Sequence, residues 1–195
     1  MSTSSEPTTE IPEGLDPAAI ARLFQLRWSV PAVVALHELG GGAKLITVVN
    51  RLGTGRESVV RTLGRLVEEG WVARNPGYGH PLRPEYVLTA GGKRLAPRAK
   101  RLLDALDEID ARDVGLRKWS LGIVAAIAGG CSRHSEIRAQ LPVTARAMSL
   151  AFKNLGDAGL VERVVYDSVP PEVVYRLTPR GAGLVGGLRA VGRLL

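Results

Sequence analysis

Two short stretches of the chain carry polar side chains at the spacing of an exposed helix face, and in both the side chain types suit nucleic acid. The first offers Thr54, Arg56, Ser58, Arg61, Thr62 and Arg65, and the second offers Thr144, Arg146, Ser149, Lys153 and Asn154. Hydroxyls and helix N-termini suit phosphate oxygens, while Arg and Asn pair with base edges. The same pattern also describes a plain solvated helix face, so the surrounding elements must decide. Other chemistry is not signalled. His37, His80 and His134 are scattered and lack metal-ligand spacing. Gly40-Gly41-Gly42 and Gly53-Thr54-Gly55 do not follow a strand of a β-α-β unit, so they are no nucleotide fingerprint. Nothing resembles a nucleophile elbow, a carboxylate pair or a P-loop. An enzyme is not expected, nor is a metal or a cofactor.

The elements that would position these faces follow from periodicity and breakers. Asp16-Pro17 reads as a helix start, with apolar residues to Leu26. Ser29 would cap a second helix that Gly40-Gly41-Gly42 ends. A short helix runs through Leu45, Val48, Val49 and Leu52. Thr54 and Glu57 fit a capping box for the next helix, which shows Val59, Val60, Leu63, Leu66 and Val67 on one face and stops at Gly70. Strand-like residues 71–74 and 85–88 flank a turn rich in Pro and Gly, which gives a hairpin. Helix, helix, turn, helix and hairpin is the order of a winged helix-turn-helix, and wing residues Arg74, His80 and Arg83 would reach backbone or minor groove.

This pattern occurs twice. Arg27-Trp28-Ser29-Val30 recurs as Lys118-Trp119-Ser120-Leu121, with Trp28 matching Trp119 at an offset of 91. Gly70 matches Gly159, Tyr86 matches Tyr175 and Thr89 matches Thr178, each at an offset of 89, so the register slips between Gly40 and Thr54. A repeat this long is a duplicated domain, and two copies in one chain suggest a covalent version of a symmetric dimer. The second copy has helices over 121–128, around His134 to Arg138, and from a Thr144 cap to Gly159. Its hairpin joins Leu160–Tyr166 to Val173–Leu177. Asp167 and Glu172, set against the single positive charge of Arg163, argue against strong DNA contact by that wing. Lys93–Asp113 reads as one long connecting helix, in which Pro97 either kinks it or sits in its first turn. Thr178-Pro179 starts a final Gly-rich helix to Leu195, whose obvious partner is the helix from Pro17 to Leu26.

Composition is consistent with this outline. The 195 residues carry 26 Lys and Arg against 19 Asp and Glu, a net +7 that moderately favours polyanions. No apolar run is long enough for a membrane span. Residues 1–14 read as an acidic disordered tail and not a signal peptide. One cysteine, Cys131, cannot form an internal disulfide, which fits a cytoplasmic protein.

The second copy resembles the HxlR family of bacterial winged-helix regulators, a branch near MarR. The residues that carry the resemblance are Lys118-Trp119-Ser120-Leu121, His134-Ser135-Glu136-Ile137, Thr144 through Leu155, Ala158 through Arg163, Val169-Pro170-Pro171, Tyr175, Leu177-Thr178 and Gly181. The first copy keeps Arg27 to Val30, Glu69 to Arg74, Pro84 to Thr89 and Gly92, but has drifted between Thr54 and Arg65. The resemblance implies homodimeric DNA-binding transcription factors whose outer helices build the dimer and whose recognition helices enter major grooves. It also implies that small aromatic ligands bind near the junction of outer helices, which would place Phe24, Trp28 and Trp119 at such a site, although core packing is the favoured account of these residues. The N-terminal cysteine used for sensing by some members is missing here.

The expected fold class is mainly α with small β-hairpin wings: tandem winged helix-turn-helix domains, at 15–92 and 116–195, joined by a long helix over 93–115 and related by a pseudo-twofold. The expected function is a DNA-binding transcriptional regulator in which one chain mimics an HxlR-type dimer, acting on double-stranded DNA and responding to a small aromatic ligand. The alternative is a protein that retains the fold but sequesters such a ligand. The chain is expected to be a monomer or to dimerise once more, with no membrane partner.

Overall fold

The computed structural model describes residues 12–75 and 85–195. Helix α1 (Pro17–Leu23) starts as its sequence dictates: the Asp16 carboxylate accepts hydrogen bonds from the Ala18 and Ala19 amides at 2.9 and 3.1 Å. Pro17 sits in the first turn, where its missing N–H costs nothing. The expected tail ends earlier than Gly14. Residues 1–11 lie outside the described residues, but Leu15 is fully buried and Gly14 packs against Gly192.

Helix α2 (Ser29–Glu38) is buried on all sides from Ser29 to Leu36. Ser29 is the first residue of this helix and not its cap; Trp28 occupies the cap position without a side-chain bond. Gly40 and Gly41 end it with positive φ, and the Gly41 amide bonds back to the Leu36 carbonyl at 2.8 Å. Strand β1 (Gly42–Lys44) follows, where only a helix terminator was expected. Gly-Ala-Lys has little strand propensity of its own. It is held by antiparallel pairing with β3 (Glu85–Leu88), in register Ala43 opposite Tyr86. With β2 (Val72–Asn75) this makes a sheet of order β1-β3-β2.

Between β1 and β2 lie α3 (Leu45–Leu52) and α4 (Arg56–Glu68), separated by a left-handed Gly53. The Thr54–Glu57 capping box does not form. Gly55 is the cap residue, so Glu57 falls one position short of the third helical residue that the box requires. Helix α5 (Ala90–Glu108) begins three residues before the expected Lys93 and ends five before Asp113. Pro97 lies past its first turn, on the exposed side. Asp110 turns the chain with φ 48°, and a short α6 (Arg112–Gly115) follows.

The second half runs in the same order: α7 (Ser120–Ala128), α8 (His134–Ala139), α9 (Ala145–Asp157), β4 (Val161–Tyr166) and β5 (Glu172–Leu177). The Glu136 carboxylate accepts from the Ser132 and Arg133 amides at the start of α8, and these bonds hold its pKa below the usual carboxylate range. No strand precedes α8, yet the Tyr175 amide donates to the Ser132 carbonyl at 2.7 Å, opposite the place where Tyr86 pairs with Ala43. The final helix is two helices, α10 (Pro179–Gly183) and α11 (Val185–Gly192). At the break, the Leu184 amide bonds to the Gly181 carbonyl, three residues back, and so tightens the turn.

One device holds hairpin to helix in both halves. The Thr89 hydroxyl donates to the Gly70 carbonyl at 2.8 Å and accepts from the Gly92 amide at 3.1 Å. The Thr178 hydroxyl likewise donates to the Gly159 carbonyl at 2.6 Å and accepts from the Gly181 amide at 3.2 Å. Gly92 and Gly181 are required there, because a Cβ would overlap the Trp71 and Leu160 carbonyl oxygens respectively.

The halves share one apolar core. Helix α1 packs chiefly on α7, where Gly122 allows close approach to Ala21, and α11 packs chiefly on α5, with Gly187 against Leu102. The expected pairing of the N- and C-terminal helices exists, but it is the minor contact of each. Arg27 of the first half pairs with Asp113, which Arg117 also approaches at 3.1 Å, and these two guanidinium groups lower the Asp113 pKa. Arg180 donates to the Ile109 carbonyl.

Gly92→Ala and Gly181→Ala should each destabilise the protein by about 2 kcal/mol in urea unfolding, since neither carbonyl can retreat without breaking the hairpin. Gly64→Ala, at a helical site with open space around it, should stabilise by about 0.5–1 kcal/mol. Cys131 is 7% exposed; burial pushes its thiol up and the Glu136 carboxylate adds to the effect. Iodoacetamide at neutral pH should therefore label native protein far more slowly than unfolded protein.

Candidate nucleic-acid interface

Helix α4 is anchored by Val59, Thr62, Leu63 and Leu66, all buried, which leaves Arg56, Glu57, Val60, Arg61 and Gly64 facing out. Thr62 is 1% exposed, because its position between Val59 and Leu66 puts it on the inward face; it is no DNA contact. Val60 and Val67, assigned by periodicity to the buried face, are 44% and 36% exposed. Arg65 is half-buried and pairs with Glu69 at 2.8 Å and Glu68 at 3.4 Å, so its charge closes the end of α4. Desolvation raises the Glu69 pKa in spite of Arg65. Thr54 and Ser58 are half-buried at the turn and first turn. Arg56 and Arg61 are exposed, and neither forms an ion pair among the described residues. Arg74 is exposed on β2. His80 and Arg83 lie outside the described residues.

Helix α9 is held by Met148, Ala151, Phe152 and Leu155, with the Phe152 ring stacked on Tyr175 at 3.9 Å. Its outward face carries Arg146, Ser149, Leu150 and Lys153. The Thr144 hydroxyl accepts from the Ala147 amide at 3.3 Å, and so caps the helix by satisfying an amide that has no partner within it. Ser149 donates to the Ala145 carbonyl at 3.0 Å, and Lys153 pairs with Asp157 at 2.6 Å. Both bonds are solvent-exposed. Asn154 is half-buried. Arg146 is exposed and has no ion pair among the described residues. Leu150, which the pattern of charged and hydroxyl residues passes over, is 60% exposed one turn after Arg146; a helical wheel would have placed it there.

The two wings differ in their charge. In the second, Glu172 accepts from Arg133 at 2.8 Å, which ties β5 to the start of α8. Arg176 lies 5.7 Å from the Tyr166 ring and donates to its hydroxyl.

The three aromatic residues expected as ligand contacts do not line the Trp28 cavity together. Phe24 is 2% exposed within the core. Trp28 lines an open cavity of about 310 Å³ with Val34, Glu38, Arg51, Leu103 and Arg112, on the first half and the connector. Trp119 does not line this cavity; it takes a left-handed φ of 77°, with the Lys118 ammonium 4.6 Å from its ring. Among the described residues, no group of His, Cys, Asp and Glu could hold a metal ion, and no helix is long and apolar enough to cross a membrane.

An HxlR-like helix-turn-helix family model matches residues 114–194. An uncharacterized HTH-type transcriptional regulator of Methanothermobacter thermautotrophicus is 33% identical over 85 residues, which cover 43% of this chain and 64% of the relative. YtcD of Bacillus subtilis, named likewise, is 33% identical over 70 residues, 35% of this chain and 56% of its own length. The chain thus spans less than two thirds of these two relatives. YvaP of Bacillus subtilis, another HTH-type transcriptional regulator, is 32% identical over 91 residues, 46% of this chain and 76% of its own length. No solved structure matches the chain significantly. The outward basic helix after a short helix, the hairpin behind it and these likenesses lead to one conclusion: the chain belongs to the HxlR-like helix-turn-helix family.

Proposed function

We propose that this protein is a DNA-binding transcriptional regulator in which one chain supplies both winged helices of a dimer-like unit. The observation that carries this reading is that α4 and α9 share four inward anchors and expose Arg56, Arg61 and Arg146 without ion-pair partners among the described residues. The halves, at 15–92 and 116–195 with 93–115 between them, are read as tandem copies of one domain. The shared order of elements and the matching Thr89/Gly92 and Thr178/Gly181 devices support that reading. The two recognition helices would enter successive major grooves about one helical turn apart, as in dimeric helix-turn-helix proteins. Thr54, Ser58, Thr144 and Ser149 would serve phosphates, and Arg74 the backbone beside the first wing.

Regulation by a small aromatic ligand is a second part of the proposal, and it rests on the Trp28 cavity alone. Glu38 and Arg51, which pair at 2.5 Å on its wall, would provide polar contacts beside the indole. A ligand there would sit between α2, α3 and α5 and would bear on the helix that precedes α4. Titration with aromatic compounds should quench tryptophan fluorescence in the parent protein and not in Trp28→Phe; equal quenching in both would remove the cavity from consideration.

Arg56→Ala, Arg61→Ala and Arg146→Ala should each weaken binding to the DNA upstream of the coding region by about tenfold, read by fluorescence anisotropy. Each should keep its folding free energy within about 0.5 kcal/mol of the parent, since all three side chains are exposed. Affinity should fall steeply with salt as phosphate contacts release counterions. Weak binding, equal for every duplex and unchanged in all three variants, would exclude the DNA-binding reading.

A further inference from the structure

We propose that the two recognition helices read different half-sites, Arg61 selecting a guanine where Leu150 selects a thymine, so that the operator is not a palindrome. The inference rests on the DNA-binding reading above and deepens it. Helices α4 and α9 are both 13 residues long, and their inward anchors correspond one to one at an offset of 89: Val59 with Met148, Thr62 with Ala151, Leu63 with Phe152, and Leu66 with Leu155. The same offset aligns their outward positions, and there the chemistry does not match. Glu57 stands where Arg146 stands, Val60 where Ser149, Arg61 where Leu150, and Gly64 where Lys153.

Each difference has a reading in the major groove. An Arg presents paired donors to the O6 and N7 of guanine, and a Glu accepts from the amino group of cytosine. An apolar side chain has one distinctive partner there, the C5-methyl of thymine. Leu150 is 60% exposed and lies between Arg146, four residues before, and Lys153, three residues after, so it shares one helix face with two cations. A leucine kept in that setting has no role in the core, which Met148, Ala151 and Phe152 already fill from the other side of the helix. The flanking cations point to a polyanion as the occupant of this face. Gly64 offers no side chain where Lys153 reaches out, so the first helix relies on fewer positions. A homodimer must present the same residues to both half-sites, whereas this chain presents two sets.

The test is selection of binding sites by the full chain from a random duplex pool, followed by anisotropy on the selected site at fixed salt. Two dissimilar half-sites should emerge. Replacing one thymine by deoxyuridine, which lacks only the methyl group, should weaken the parent roughly fourfold and leave Leu150→Ala unaffected. Leu150→Arg should shift the preferred base at that position to guanine without altering the other half-site. A palindromic consensus, or full affinity for every uracil-substituted site, overturns the inference while leaving the protein a DNA binder. Failure to enrich any sequence, with weak binding equal for all duplexes, overturns the DNA-binding reading and this inference with it.

Discussion

A helix that is apolar on every side can exist in water only if something covers every side. Helices α2 and α7 impose that constraint on this chain, with every residue from Ser29 to Leu36 and from Leu121 to Ala126 buried. The three-helix core of one winged domain covers one flank of such a helix. The other flank must be met from elsewhere. For α7 it is met by helices drawn from both ends of the chain, α1 and α11, and for α2 by α5, on which α11 also lies. Each fully buried leucine in this arrangement is worth about 2 kcal/mol of transfer free energy, so the contacts of α1 with α7 and of α11 with α5 add to the stability of the shared core. The glycines that looked poor for a helix, Gly122 and Gly187, are the points where backbones approach.

Because the centre is shared, the periphery is left to present single faces. Helices α4 and α9 each give one side to the core and the other to solvent. Charge is distributed with the same economy. Arg27, Arg65, Arg112, Arg133 and Arg180 bind carboxylates or carbonyls within the fold, whereas Arg56, Arg61 and Arg146 stand free of ion pairs among the described residues. A net positive charge alone would not separate these two groups; the pairing pattern does. Exposed pairs contribute little to stability, so Arg27, Arg133 and Arg180 act mainly by fixing geometry between segments far apart in sequence, and Arg65 and Arg112 by closing local turns.

Much of this was legible in the residues. The Asp16 cap, α3, the body of α4, the Thr144 cap, the glycines that stop α4 and α9, and both hairpins follow from local chemistry: breakers, caps and apolar periodicity. What was not legible depended on tertiary partners. Strand β1 has no strand-like residues and exists because β3 offers an edge. The start of α4 moved by one residue, which spoiled a capping box whose spacing was right on paper. Thr62 and Val60 exchanged faces relative to expectation because hydrophobicity outweighed spacing in the assignment, and the helix obeyed spacing. The break at Leu184 and the end of α5 near Asp110 come from how the connector and C-terminal segments must turn to lie on each other.

On the proposed tandem reading, joining two domains in one chain would change what selection can act on. In a homodimer a substitution in the recognition helix appears at both half-sites at once, so the protein and its operator must change together and symmetrically. In a single chain the two helices are separate stretches of sequence under a common packing rule. The inward residues of α4 and α9 are all small or apolar enough to be buried, because each helix fills a groove beside a central helix. The outward residues meet no such requirement and differ in charge, size and polarity. Packing therefore constrains the inner faces alike, while the outer faces are free to differ.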